Sequence, residues 1–368
     1  MTTIAPRPYS PDIAISPGET IREVLEHEGM TQAELAKRMG RPINKINEVI
    51  QGKRQITADT ALELELALGL PASFWINLEK NYQLTKARLT QKKRLDREST
   101  HLASFPVKEM CRLGWLKKMS DKADQAHEIL SFFGVTSFSM IKKVKSLAPV
   151  WRKTRTKKAC EYALASWLQR GIRLSHEIET EDFDPTGLKS NINELRALTV
   201  QNPEVFEPAL KTICAQYGVA VVFVPHLPKS YASGAAYRLY DKVVIQLSLR
   251  HQWADIFWFN FFHELGHVLL HLTKRKGVFV DDKDFTVESE DLEVEANDFA
   301  AMTLIPTDDF ESLASRAFSR AAVVQAFANE IGIASGIVVG RLHHEGLVPR
   351  NRLVSLRCQY TWRDEDVE

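Results

Sequence analysis

The sequence predicts a mainly α chain with a small β-sheet (α+β). An N-terminal helix-turn-helix bundle precedes a helical middle and a C-terminal domain that holds the sheet. Three observations predict this. Short helical segments stopped by glycines follow one another from Glu19. Strand-like runs rich in β-branched residues are confined to residues 219–249. Directly after them comes an apolar helix holding two histidines and a glutamate. At 368 residues the chain has room for two or three domains of about 100–200 residues each. Its 44% hydrophobic and 26% charged residues match ordinary globular usage. The net charge of +1 excludes a generally basic nucleic-acid coat or an acidic tail protein, but an average hides local patches. No apolar run reaches the ~18–20 residues of a membrane span, and the first twenty residues lack a signal-peptide pattern. Cys111, Cys160, Cys214 and Cys358 are scattered without a CxxC pair, which argues for a reducing cytoplasm and against a disulfide framework.

The elements follow in order. Residues 1–18 are Pro-rich and read as a flexible arm. Ile21, Val24 and Leu25 form one apolar face, and Gly29 stops that helix. Thr31 to Glu34 reads as a capping box opening a second helix, with Leu35, Ala36 and Met39 inward and Gly40 at its end. Arg41 and Pro42 make the turn, and Pro42 suits the first turn of a third helix with Ile46, Val49 and Ile50 inward. Two short helices joined by a Gly-containing turn are the helix-turn-helix pattern. The second helix then presents its N-terminal residues to base edges. That geometry turns Ile43, Asn44 and Lys45 to DNA: thymine methyl, adenine, and guanine or phosphate respectively. Lys53 and Arg54 suit phosphate contacts, whereas Glu48 is awkward beside phosphates. A helical interaction bundle without DNA is the competing reading. Residues 61–70, ALELELALGL, alternate with a strand's period, yet Ala, Leu and Glu favour helix and Thr57 or Thr60 can cap it.

The run from Pro17 to about Gln83 resembles the HigA branch of XRE-type helix-turn-helix antitoxins. The similarity rests on the PGE start, TQAELAKRMG, the Pro42-led helix, GKRQITADTA and FWINLE. It implies an operator-binding repressor that acts as a homodimer.

Residues 84–98 read as a charged helix leaving the bundle, followed by a helical middle in which FFGV (132–135) marks a helix end at Gly134. The stretch 141–158 carries eight Lys or Arg and no acid. It suits phosphate tracking equally with a solvated face that answers the acidic run 281–298. The expected domains are therefore 1–18, 19–83, 84–200 and 201–368.

Val219–Pro225, Tyr231–Leu239 and Lys242–Leu249 read as strands, with Ser233 and Gly234 marking a bulge or a close backbone approach. The next segment, HQWADIFWFNFFHELGHVLLH, is apolar round most of its circumference, as a buried helix is. Within it His263 and His267 lie four apart on one face and can grip one metal ion, while Glu264 is placed to act as general base. HExxH arises by chance in about one chain in fifty of this length. Two histidines and a glutamate in an apolar helix, however, are costly without polar partners, and a metal supplies them. A third ligand is required. His271 lies a turn beyond His267 and overshoots on a straight helix. In LEVEANDFAAMTLIP, Glu293 shares a face with Asn297, so Glu293 can bind metal while Asn297 orients a ligand histidine. Glu295 is the fallback ligand.

Residues from about 210 to 306 resemble the ImmA/IrrE metallopeptidases, through HELGHVLLH and ExxANxFAAxxLIP after the strands. Many members carry Met before the final Pro, where this chain has Ile305. The resemblance implies a zincin-like metallopeptidase domain with Zn2+ held by His263, His267 and Glu293, and with Glu264 as general base. The weaker match of the helical middle to long regulator–peptidase fusions carries no chemistry. An extended substrate would add to a sheet edge along Lys242–Leu249. Tyr237, His343 and His344 are further oxyanion-donor candidates, though core or surface roles suit each of them better. The function expected is a DNA-binding regulator of HigA type fused to a zinc endopeptidase acting on a repressor or antitoxin. The alternative is a non-proteolytic repressor whose peptidase-like domain binds a toxin or senses a ligand.

Overall fold

A helix-turn-helix module of this sequence depends on sharp, well-capped stops. The computed structural model describes residues 11–362 except 148–153, 156–159, 241, 273–277, 282–284, 287–289 and 317–318. The first ten residues of the arm, much of the basic stretch and part of the acidic run lie outside the described residues. The chain divides into two units, Met1–Ser99 with Asp121–Asp124, and Thr100–Ser120 with Gln125–Glu368.

In the first unit, helices α1 (Pro17–His27), α2 (Gln32–Arg38), α3 (Ile43–Ile50), α4 (Ala58–Leu68) and α5 (Ala72–Glu98) follow one another. Helix α1 opens at Pro17, with Ser16 Oγ accepting from the Gly18 N–H. A Cβ on Gly18 would lie 1.9 Å from the Ile50 carbonyl oxygen, so only glycine lets α1 start against the end of α3. Thr31 caps α2 by accepting from the Glu34 N–H at 3.2 Å, while the Glu34 carboxylate turns to Arg38. Gly40, at φ +62°, makes the left-handed turn that redirects the chain into α3. Pro42 stands one place before the first turn of α3, as its N-cap. The segment 61–70 is helical up to Leu68, capped by Thr57 and ended by Gly69 in the left-handed conformation. Ile21, Leu35, Ile46, Ile50, Leu64 and Trp75 close the core. The residues 84–98 continue the FWINLE helix without a break in α5.

In the second unit, the helical middle comprises α6 (Val107–Arg112), α7 (Lys122–Phe133), α8 (Phe138–Ile141), α9 (Glu161–His176), α10 (Pro185–Ser190), α11 (Ile192–Ala197) and α12 (Pro203–Gln216). Helix α7 starts inside the first unit's Asp121–Asp124 segment and ends before Gly134, at φ +66°. A two-residue strand β1 (Thr154–Arg155) lies within the middle. The main strands are β2 (Val219–Phe223), β3 (Gly234–Leu239), β4 (Lys242–Leu247) and β5 (Val278–Asp281), and β6 (Phe285–Thr286) pairs with β1. The four-stranded sheet has the order β2-β4-β3-β5, with β2 and β4 parallel and the other pairs antiparallel.

That order corrects the expected substrate edge. Strand β4 is paired on both sides, so its backbone groups are spent on β2 and β3, and no peptide can add along it. Strand β5, signalled only by the short run Val278 to Val280, joins β3 on the far side.

Helix α13 (Ala254–Gly266) carries the HExxH residues and passes directly into a widened π-type turn, His267–Leu272. It is followed by α14 (Glu290–Leu304), α15 (Thr307–Ala314), α16 (Ala321–Ile331) and α17 (Ser335–His344). Val243, Ile245 and Leu247 of β4 and Ala236 of β3 share one core with Trp258, Phe261, Phe262 and Leu265 of α13. Among the described residues no single helix is long and apolar enough to cross a membrane.

Candidate metal centre and recognition helix

Four residues of spacing on a helix bring two side chains to one face, as with His263 near the end of α13 and His267 at the start of the π turn. His263, Glu264 and His267 are all buried. Glu293 comes from α14, which can approach because the contact uses small residues. A Cβ on Gly266 would stand 3.3 Å from Ala296 Cα and 3.1 Å from the Phe299 ring. Arg196 fastens the far ends by donating to the Leu304 carbonyl at 3.1 Å and the Ile331 carbonyl at 2.7 Å, a cation at two helix C-termini.

The donor atoms converge. The Nε2 atoms of His263 and His267 are 3.0 Å apart. Glu293 reaches them at 3.3 Å and 3.6 Å. Ligands about 2.0–2.1 Å from a tetrahedral zinc stand roughly 3.3 Å from one another, so the set fits one small ion without rearrangement. Two imidazoles and one carboxylate are also a donor set suited to zinc. Burial lowers the pKa of the His267 ring, which keeps it neutral and able to coordinate at neutral pH. Burial alone would raise the carboxyl of Glu293, but the facing His263 and His267 rings outweigh it and hold the carboxyl below its ordinary range.

Asn297 Oδ1 lies 3.1 Å from His263 Nδ1, as the shared face of Glu293 and Asn297 predicts. His271 overshoots the donor set, as expected, and its Nδ1 instead lies 2.9 Å from His267 Nδ1. Glu295, the fallback ligand, does not join the three donors. Its Oε2 is 3.0 Å from His271 Nε2. This His271–Glu295 pair was missed as a unit by sequence reasoning. The spacing of His267 and His271 was the available signal, but only the π turn and the packing of α14 reveal the partner.

Glu264 lies against β3. A Cβ on Gly234 would fall 2.4 Å from Glu264 Oε1, so the glycine read as a close approach is where the proposed base is accommodated. Tyr237 points to the other face of the sheet, where its hydroxyl donates to Gln246 Oε1 at 3.1 Å. His343 Nε2 donates to the Arg352 carbonyl. Neither is part of the donor cluster, and His344 is exposed at the end of α17. Each therefore has the core or surface role that suited it better.

On the first unit, Ile43 and Asn44 are exposed at the start of α3, and Lys53 and Arg54 are exposed after its end. Lys45 is half-buried and pairs with Glu48 at 3.2 Å, and Arg54 lies 3.8 Å from the same carboxylate. Glu48 is thus neutralised by its neighbours, which accounts for an acid on this surface.

The architecture defines a chain in which a helix-turn-helix module accompanies an HExxH domain with a metal-competent donor set. Residues 21–75 match the helix-turn-helix family model, and residues 214–343 match the IrrE N-terminal-like domain of peptidase family M78. Virulence-associated protein I of Dichelobacter nodosus is 41% identical over 75 residues, covering 20% of this chain and 69% of that protein. Antitoxin HigA-1 of Vibrio cholerae is 36% identical over 75 residues, covering 20% of this chain and 70% of the relative. Among solved structures, the antitoxin HigA of Pseudomonas aeruginosa with the higBA promoter is 31% identical, covers 23% of this chain and 95% of its own, and has a TM-score of 0.22. The chain belongs to the HigA-like helix-turn-helix regulators and carries an IrrE-type peptidase domain.

Proposed function

We propose that the protein is a cytoplasmic, operator-binding regulator whose C-terminal domain is a zinc-dependent endopeptidase acting on a repressor- or antitoxin-type protein. The carrying observation is the convergence of two imidazole nitrogens and one carboxylate beside the buried Glu264. His263, His267 and Glu293 would hold the zinc, which when bound supplies Lewis acidity toward water and toward a peptide carbonyl. Asn297 fixes the His263 ring so that its Nε2 faces the centre. The Glu264 carboxylate takes a proton from the attacking water and returns it to the leaving amine nitrogen. The core round α13 keeps competing water away from the carboxylate.

The helix-turn-helix match over residues 21–75 and the likeness to antitoxin HigA-1 support DNA binding by the first unit. Here Ile43, Asn44 and Lys45 would read bases while Lys53 and Arg54 hold phosphates. A homodimer is part of the proposal. Leu62 and Leu66 stand 54% and 87% exposed one turn apart on α4, an apolar pair that a second copy would cover. Sedimentation across a concentration series checks that state, and a strictly monomeric chain would contradict it.

Glu264→Gln tests the peptidase reading. Zinc content should be retained while cleavage of a co-expressed repressor is abolished. Equal persistence of the repressor with the native chain and the variant, with zinc bound to both, would favour the non-proteolytic alternative.

A further inference from the structure

The two histidines of the donor set are supported differently. His263 ends on the amide of Asn297. His267 continues into a second imidazole and then a carboxylate. We propose that His271 and Glu295 form a positioning relay that fixes the tautomer of His267 and holds its Nε2 lone pair on the metal position. This rests on the zinc reading above.

The direction of the relay follows from donor and acceptor counting. An ionised carboxylate only accepts, so Glu295 takes a hydrogen from His271 Nε2. A neutral imidazole carries one N–H, which leaves His271 Nδ1 as an acceptor. The contact of 2.9 Å between the two Nδ1 atoms then requires His267 Nδ1 to donate. His267 Nε2 is left with its lone pair, facing His263 Nε2 and Glu293. With both rings neutral, the counting gives each of these contacts one hydrogen.

The backbone is built for this contact. The α-helical pattern gives way to a π turn over His267–Leu272, the kind of local widening that marks functional sites. It carries His271, itself 4% exposed, to the outward nitrogen of His267 and not to the metal position. Glu295 reaches the pair from the same helix that supplies Glu293, so α14 delivers both a ligand and the carboxylate that orients another ligand. A ligand histidine whose outer N–H has a fixed acceptor is also a more basic ligand, and here that acceptor is the imidazole held by Glu295.

Two readouts test the relay in the full-length chain. The first is zinc affinity by chelator competition, with the visible spectrum of the cobalt-loaded protein. His271→Leu should weaken binding about 10–100-fold, the usual cost of removing an outer partner of a metal-binding histidine. His271→Gln should restore most of it, because its amide oxygen accepts from Nδ1–H. The Glu295 side chain is 59% exposed, so Glu295→Ala should fold normally and still lower affinity by about tenfold. Asp298→Ala, the same charge change on the same helix, should leave affinity and spectrum unaltered. Unchanged affinity and spectrum in both His271→Leu and Glu295→Ala would overturn the relay.

The second readout needs no metal. In 15N-histidine-labelled protein at pH 7.5, His267 should be the Nδ1–H tautomer and His271 the Nε2–H tautomer. An Nε2–H form of His267, or an imidazolium at His271, would overturn the proposal even if zinc binds. Should the native chain bind no zinc, the zinc reading fails, while the tautomers still decide whether the relay exists.

Discussion

At the residue scale, the position facing Glu264 is as informative as Glu264 itself. Gly234 has no side chain because the carboxylate occupies that space. Gly234→Ala should push the base aside. Since a displacement of about 1 Å can cost 10²-fold in rate, turnover of a peptide substrate should fall about a hundredfold with zinc content unchanged. A variant that cleaves normally would show that Glu264 does not work from this position. The ligands also predict a pH dependence. Protons compete with metal for imidazole, and the folded His267 titrates below the ordinary histidine value near 6.5. Zinc affinity should therefore be near its plateau at pH 7 and fall as the pH drops below the ordinary histidine value. Chelator competition at pH 5.5 and 7.5 measures this, and equal affinities would contradict histidine ligation. Glu264, His263 and His267 were legible in the sequence because both spacing and chemistry lie on one helix. Glu293 was preferred to Glu295 through its shared face with Asn297. The tie from His271 to Glu295 was not legible, because it depends on a π turn and on the facing helix.

At the element scale, the recognition helix combines an exposed N-terminus with an internally paired middle. Asn44 carries no charge to pair and is open to solvent, while Lys45 is engaged by Glu48 at 3.2 Å. Replacing both, as Asn44→Ala with Lys45→Ala, should cost about 1–3 kcal/mol of base discrimination for each good bidentate pairing with a base that is removed. Footprints on matched and mismatched operators measure the relaxation. An unchanged pattern would place base reading elsewhere. The helix boundaries of this module were readable because glycines and capping hydroxyls are local signals. The role of β4 was not. Its short β-branched run identified a strand, but whether a strand is central or at an edge is decided by which other strands pair with it.

At the scale of the second unit, the sequence-distant C-terminal segment is fastened to the start of the HExxH helix. Arg357 forms two hydrogen bonds to Asp255, at 2.8 Å and 3.0 Å, and its guanidinium lies 4.2 Å from the Trp253 ring centre. The Ala254 N–H donates to the Cys358 carbonyl at 3.0 Å, and a Cβ on Gly340 would collide with the Asp255 side chain. Helix α13 is thus held where it begins by the chain end and where it finishes by α14. Arg357→Ala would strand a buried carboxylate. The expected loss of unfolding free energy is about 3–5 kcal/mol by denaturant titration, the cost of breaking a buried pair from one side. A loss below about 1 kcal/mol, the range of surface pairs, would show that the contact is solvent-like.

Sequence alone determined the helix-turn-helix punctuation, strands β2, β3 and β4, the apolar HExxH helix and the near-neutral sum of charges hiding basic and acidic stretches. These are local properties, fixed by residues within a few positions of one another. Tertiary structure alone decided what His271 and Glu295 do, what fills the space opposite Gly234, and that β4 is interior. Each of those is a contact between elements separated along the chain, and its geometry follows from how closely the helices and sheet can pack.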